Sequence, residues 1–221
     1  VAVMSAEHAH DDRDPPGLFR FRMGERIPAY LIALAVGDLA RREIGPRTAV
    51  FAEPALIARA EHEFGEMESM IDSAEALLGP YLWGRFDVLV MPPSFPYGGM
   101  ENPRLTFASP TLLAGDRSLT TVIAHELAHA WAGNLVTNAT WNDFWINEGT
   151  TVYLELRINE ALWGADRAAM LQSSGFRDLA SEITRMGDAS PDTRLRYDMT
   201  GRDPAEGVTV VPYLKGAAFF W

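Results

Sequence analysis

Two histidines and a glutamate stand together in His125-Glu126-Leu127-Ala128-His129, and a second glutamate, Glu148, follows His129 after eighteen intervening residues. On an α-helix each residue turns about 100°, so His125, Glu126 and His129 share one arc of roughly 100°. Two neutral imidazoles four residues apart, about 6 Å along the axis, can reach one Zn²⁺. A carboxylate from elsewhere completes three protein ligands and leaves the fourth position open for water. Glu126 then remains as the general base. The competing reading is an accidental run on an amphipathic helix. Against it, Ile123, Ala124, Leu127, Ala128 and Ala130 make the surroundings so apolar that unpartnered imidazoles and a carboxylate would carry a heavy desolvation cost, which a metal removes. The pattern predicts a zinc hydrolase with His125, His129 and Glu148 as ligands of one ion per chain.

Two helices must position these groups. The first is predicted from Ser118, whose hydroxyl can cap it, to Gly133-Asn134. The second begins around Asn147 and runs toward Trp163-Gly164. On it Glu155 lies seven residues beyond Glu148, within about 20° around the axis, placed to orient a ligand histidine as an outer hydrogen-bond acceptor. A surface carboxylate is the alternative for Glu155. Upstream, Phe95-Pro96-Tyr97-Gly98-Gly99-Met100-Glu101-Asn102-Pro103 is a turn by composition, and its two glycines allow another chain to approach the backbone closely.

The rest of the chain reads as a scaffold. Residues 1–17 hold His8-Ala9-His10-Asp11-Asp12 and end at Pro15-Pro16-Gly17, a loop or linker in which His-x-His lacks a helix to preorganise it as a metal site. Strand-like segments follow: LFRFRM alternates, IPAYLIALAVG is a buried run and TAVFA is a third, as though closing a sheet whose partners lie upstream. Pro54 opens a helix expected to continue to Gly79-Pro80, with Leu56, Ala60, Phe64, Met67, Met70, Ile71, Ala74 and Leu77 as its core stripe and His62 at the surface. Residues 86–91 form a short buried strand ended by Pro92-Pro93, residues 166–186 a further amphipathic helix, and residues 187–207 a polar connection.

Composition bounds the partners. With 221 residues and 48% hydrophobic content the chain can build a substantial core, and no run is apolar enough to span a bilayer. The net charge of -11 argues against nucleic acid and anionic membranes. Zero cysteines exclude disulfides and thiolate metal sites. The chain starts at Val1 and stops at Phe219-Phe220-Trp221, and it is expected to be an excerpt of a longer, monomeric, cytoplasmic protein whose true N-terminus lies elsewhere.

The His-Glu-x-x-His run with Glu148, preceded by Gly98-Gly99-Met100-Glu101-Asn102 and followed by Tyr213, resembles the gluzincin aminopeptidases of the M1 class. The wording between the motifs is most similar to the branch containing leukotriene A4 hydrolase, aminopeptidase B and their bacterial relatives. The resemblance implies an α+β, thermolysin-like catalytic domain over residues 51–221, truncated at its C-terminal side, and the last strands of an N-terminal β domain over residues 1–50. It implies hydrolysis of the N-terminal residue from peptides with a free amine. Glu101 would hold the substrate α-ammonium, Gly98, Gly99 and Met100 would line the peptide, Tyr97 would border the first side-chain pocket, and Tyr213 would donate to the tetrahedral oxyanion. The chain departs from the leukotriene branch at Val208, where a tyrosine is expected, and at Ala205, where an aspartate is expected. Those departures weigh against an epoxide hydrolase, which stays as one alternative. A catalytically incomplete peptide-binding fragment is the other.

Overall fold

A computed structural model describes residues 1–9, 11 and 14–221. It divides into two compact units, Val1–Ala130 and Trp131–Trp221. The His-x-His reading depends on His10, which lies outside the described residues.

In the first unit, β1 (Ala2–Met4) pairs antiparallel with β4 (Leu34–Val36), and β2 (Glu7–His8) with β3 (Phe21–Arg22). Part of the expected leading loop is therefore strand. The apolar run at residues 27–36 is not the buried strand its composition predicts. Pro28 leads into a 3₁₀ turn at Ala29–Leu31, and among the described residues the short β4 has β1 alone beside it, so Ile32, Leu34 and Val36 face solvent while Leu31 and Ala33 are buried. Alternation across a two-stranded ribbon covers one face only.

The main sheet, among the described residues, has the order β5 (Ala40–Gly45), β6 (Thr48–Ala52), β7 (Asp87–Val90), β9 (Leu105–Ala108), β8 (Gly99–Met100). Strand β6 pairs antiparallel with β5 upstream and parallel with β7 downstream, so it is an inner strand of this sheet rather than the last strand of one lying upstream. The central β6 and β7 are buried along their whole lengths, which parallel pairs covered on both faces require. Phe51, Leu89 and Leu105 pack with Val3 in the core. Strand β8 is antiparallel to β9 and forms one edge of the sheet.

The helix expected from Pro54 is two helices, α1 (Ile57–Glu63) and α2 (Met67–Leu78), broken at residues 64–66 where Gly65 weakens the run. Phe64, Met67, Met70, Ile71 and Ala74 are buried as the stripe predicts, whereas Leu77 is exposed. Arg47, at the β5–β6 turn, ties the sheet to α2. Its guanidinium donates to Glu68 at 3.1 Å, Glu75 at 2.9 Å and Asp72 at 2.6 Å. The Glu75 carboxyl is held below the usual range, first by the Tyr81 backbone N–H and then by Arg47.

In the second unit, α4 (Phe144–Trp163) and α5 (Ala165–Met186) are joined through Gly164, whose φ of 90° suits glycine. Helix α4 starts three residues before Asn147, so Glu148 lies inside it rather than at its tip. The connection at residues 187–207 is polar, as expected, yet Tyr197 and Met199 are buried within it. The Tyr197 hydroxyl donates to the Gly207 carbonyl at 2.7 Å, and Arg202 donates to Asp192. A π-helical turn, Val211–Lys215, follows and passes into α6 (Gly216–Phe219). No helix among the described residues is long and apolar enough to cross a membrane.

Helix α4 crosses the start of α6 backbone against backbone. A Cβ at Gly149 would lie 2.5 Å from Gly216 Cα and 2.6 Å from its carbonyl carbon. Backbone cannot swing aside as a side chain does, so Gly149→Ala should destabilise this unit by about 3 kcal/mol, the upper end of the usual overpacking cost. Denaturant unfolding would read it. An alanine variant with the wild-type midpoint would show that the crossing has room for a methyl group.

Candidate metal and catalytic centre

The helix carrying the histidines, α3 (Thr121–Ala128), is shorter at both ends than the sequence predicts. Its N-cap position is Thr120 rather than Ser118, and His129 is its C-cap residue. The Thr120 hydroxyl donates to the Arg117 carbonyl at 2.8 Å, so the lead-in is a tight turn held from within the loop. Arg117 has a positive φ of 60°, which confines that turn further. Within the helix Ile123, Ala124, Leu127 and Ala128 are buried, and α3 also packs against β8, with Glu126 on that side beside Gly99. Glu126 and His129 are themselves buried, and His125 is half-buried.

The Nε2 atoms of His125 and His129 are 3.2 Å apart, with their rings edge to face at a centroid distance of 4.8 Å. Two nitrogens bound tetrahedrally at about 2.0–2.1 Å from zinc would lie about 3.3–3.4 Å from each other. The pair therefore has the separation that a shared ion of that kind imposes. One ligand atom each from His125, His129 and Glu148 lie within 4.8 Å of one another, so these three residues can hold a metal ion. Two imidazoles and a carboxylate are a borderline-soft nitrogen and oxygen donor set, suited to zinc and short of the all-oxygen shell that calcium or magnesium requires.

A second group overlaps the first. Glu101, Glu126 and His129 also bring one ligand atom each within 4.8 Å. Glu101 directly follows β8, whose Gly99 faces Glu126 so closely that a Cβ there would collide with the Glu126 carboxylate. This supplies a specific reason for glycine at 99. Gly98 accepts at its carbonyl from the Ser109 N–H at 2.8 Å, and Met100 pairs with Phe107. Glu101 and Glu126 are 8% and 6% exposed, so two carboxylates share a site from which most water is excluded. Such a pair attracts cations into the cleft.

The remaining sequence candidates lie as follows. Tyr97 is half exposed, edge-on to Phe95 at 5.8 Å. Tyr213 is on the π-helical turn, half-buried and edge-on to Phe144 at 5.8 Å. A π-helical turn shifts one side chain relative to a regular helix, a distortion common at functional sites. Glu155 is half-buried on α4 two turns beyond Glu148, which is 5% exposed. Two buried groups fixing the ends of α3, Glu63 and Trp83, are absent from the sequence-derived set. The available signal was a glutamate standing inside the apolar stripe between Ala60 and Met67.

With this geometry in hand, residues 62–221 match the Peptidase family M1 domain. The chain is 49% identical to the leukotriene A-4 hydrolase of Xenopus laevis, an alignment covering 100% of this chain and 37% of that protein. It is 50% identical to aminopeptidase B of Rattus norvegicus, covering 99% of this chain and 34% of the relative. Among solved structures, yeast LTA4 hydrolase in complex with bestatin superposes with a TM-score of 0.94 at 44% identity, covering 100% of this chain and 35% of that one. An M1 zinc metallopeptidase from Deinococcus radiodurans superposes with a TM-score of 0.73 at 25% identity, covering 98% and 47%. The chain thus spans about a third of the length of the curated relatives it matches, 34–37%.

Proposed function

The chain belongs to peptidase family M1, and from that membership we propose that the whole protein is a zinc aminopeptidase releasing the N-terminal residue of peptides. The observation that carries the reading is the convergence of Glu101, Glu126 and His129, two carboxylates and an imidazole with one ligand atom each within 4.8 Å of one another. Residues 51–221 are the proposed peptidase domain, in keeping with the matched span of 62–221. Zinc, when bound by His125, His129 and Glu148, would supply a Lewis acid that brings the pKa of water near 7.

The chain's own residues divide the remaining work. Glu101 pairs with the substrate α-ammonium and so fixes how far the peptide enters, which makes the cleavage exopeptidic. The outer edge of β8, at Gly99 and Met100, offers main-chain groups to an extended peptide as an added strand. Glu126 takes the proton from the attacking water and carries it to the departing amine. Tyr213 donates its hydroxyl hydrogen where the carbonyl oxygen gains charge, a contact whose removal typically costs about 3–4 kcal/mol. Tyr97 borders the pocket for the first side chain.

Aminoacyl anilides assayed on the whole protein test this. Each should be hydrolysed, treatment with a chelator should abolish hydrolysis, and stoichiometric zinc should restore it. Anilide hydrolysis that persists in metal-free protein would sink the proposal. The 49% identity to a leukotriene A-4 hydrolase keeps a second reading open, a bifunctional enzyme that also opens a lipid epoxide. Val208 and Ala205 stand against it, and turnover of leukotriene A4 by the whole protein would establish it.

A further inference from the structure

Helix α3 has only eight residues, too few to be stable by itself, so its position depends on what holds its ends. At its start lies Glu63, the last residue of α1 and 1% exposed. One Glu63 carboxylate oxygen accepts from the Gly115 N–H at 2.8 Å and the other from the Arg117 N–H at 2.7 Å. The same loop is held at two more points: Arg59 donates to the Leu113 carbonyl at 2.6 Å, and the Arg117 side chain donates to the His62 carbonyl at 3.0 Å and to Glu66 at 3.0 Å. From Arg117 the connection continues without a break, because its carbonyl accepts the Thr120 hydroxyl and the Thr120 carbonyl accepts two N–H groups of the first helical turn, those of Ile123 and Ala124. At the far end the Trp83 indole N–H donates to the Ala130 carbonyl at 3.0 Å, one residue past His129.

We infer that Glu63 is a positioning residue for the metal centre: by gripping the turn before α3 with both carboxylate oxygens it sets the register in which His125 and His129 present their nitrogens. A buried carboxylate is costly unless its lone pairs are filled, and here two backbone donors fill them. A neutral amide at this place could accept from one N–H only, and its own NH₂ would face the other. The turn would then lose one anchor without losing side-chain volume. Because imidazole nitrogens must meet a metal to within a few tenths of an ångström, a small drift of α3 falls first on metal affinity.

The inference rests on the zinc site proposed above and not on the substrate. The test is therefore zinc binding itself, measured by competition with a chromogenic chelator on the whole protein, with metal-free melting temperature and anilide kinetics alongside. Glu63→Gln should raise the zinc dissociation constant by about 10- to 100-fold, the range seen when groups that orient metal ligands are changed. The kcat lost at limiting zinc should return at saturating zinc. His62→Ala, which changes an exposed side chain beside Glu63 and leaves its backbone carbonyl in place, should bind zinc as the wild type does. A Glu63→Gln protein that melts lower yet binds zinc within twofold of the wild type would overturn the inference, since Glu63 would then serve the fold alone. If that variant does not fold, Thr120→Val removes the next link in the chain; wild-type zinc affinity there would overturn it equally. A protein that binds zinc tightly but cleaves no anilide would sink the aminopeptidase reading and leave this one standing.

Discussion

Replacing Glu126 by glutamine should lower kcat by about 10²- to 10⁴-fold while zinc stays bound at one ion per chain. The substitution isolates the proton-transfer role. Glu126 is buried and lies so close to Gly99 that a Cβ there would strike its carboxylate, so a side chain of the same shape is the one that leaves the packing unchanged. Glutamine has that shape and cannot accept a proton from water near neutral pH. Since Glu126 is outside the group formed by His125, His129 and Glu148, metal content should not change. Steady-state kinetics on an aminoacyl anilide, with metal analysis of the same sample, would read both quantities. A variant keeping more than about 1% of wild-type kcat would mean that another group takes the proton, because a hundredfold is the least that a general base of this kind contributes.

The parts of this centre that sequence reveals are those in which chemistry and helical periodicity coincide. Two histidines and a glutamate on one arc of an apolar helix are hard to account for without a metal, and the buried Ile123, Ala124, Leu127 and Ala128 bear out the apolar surroundings. The glycines before Glu101 are equally legible as a place of close approach, although what approaches Gly99, the Glu126 carboxylate, is visible only in three dimensions. Periodicity is weaker on boundaries. The stripe from Ala60 to Ala74 is continuous in sequence, yet Gly65 divides it into two helices, and α3 stops at Ala128 although its apolar pattern runs on. Strand partners are less legible still. Nothing in TAVFA says that its hydrogen bonds go both ways, to β5 just upstream and to β7 more than thirty residues downstream, and the second pairing is set by packing over residues distant in sequence.

Glu63 shows the same limit from the other side. A glutamate within a core stripe reads as a surface residue at its margin until the loop at residues 115–117 is seen to fold over it. Groups that touch substrate carry a recognisable chemistry. Groups that hold those groups in place are ordinary residues whose importance comes from burial and from backbone partners supplied by another segment. That division is why the reactive set is written in motifs and its support is not.

Acetylating the substrate amine should cost nearly as much as losing the base, and a change at Glu101 should cancel the penalty. A carboxylate and an ammonium about 4 Å apart interact by roughly 4 kcal/mol at an effective dielectric of 20, before desolvation is subtracted. Taking about 2–4 kcal/mol as the remainder, kcat/KM for an N-acetylated anilide should fall by about 30- to 1,000-fold in the wild type. Glu101 is 8% exposed and shares its surroundings with Glu126 and His129, so glutamine is the substitution that keeps the volume. In Glu101→Gln the free-amine substrate should drop by a similar factor, while the acetylated one, which never used the carboxylate, should hardly change. The four rate constants form a cycle, and the coupling between acetyl group and mutation reports the ammonium contact without the background of each change taken singly. Zinc content belongs in the same experiment, since a drop in both substrates with loss of metal would mark a damaged site rather than a missing contact. If Glu101→Gln still prefers the free amine by the wild-type factor, the ammonium is read by another group and the exopeptidase assignment loses its anchor.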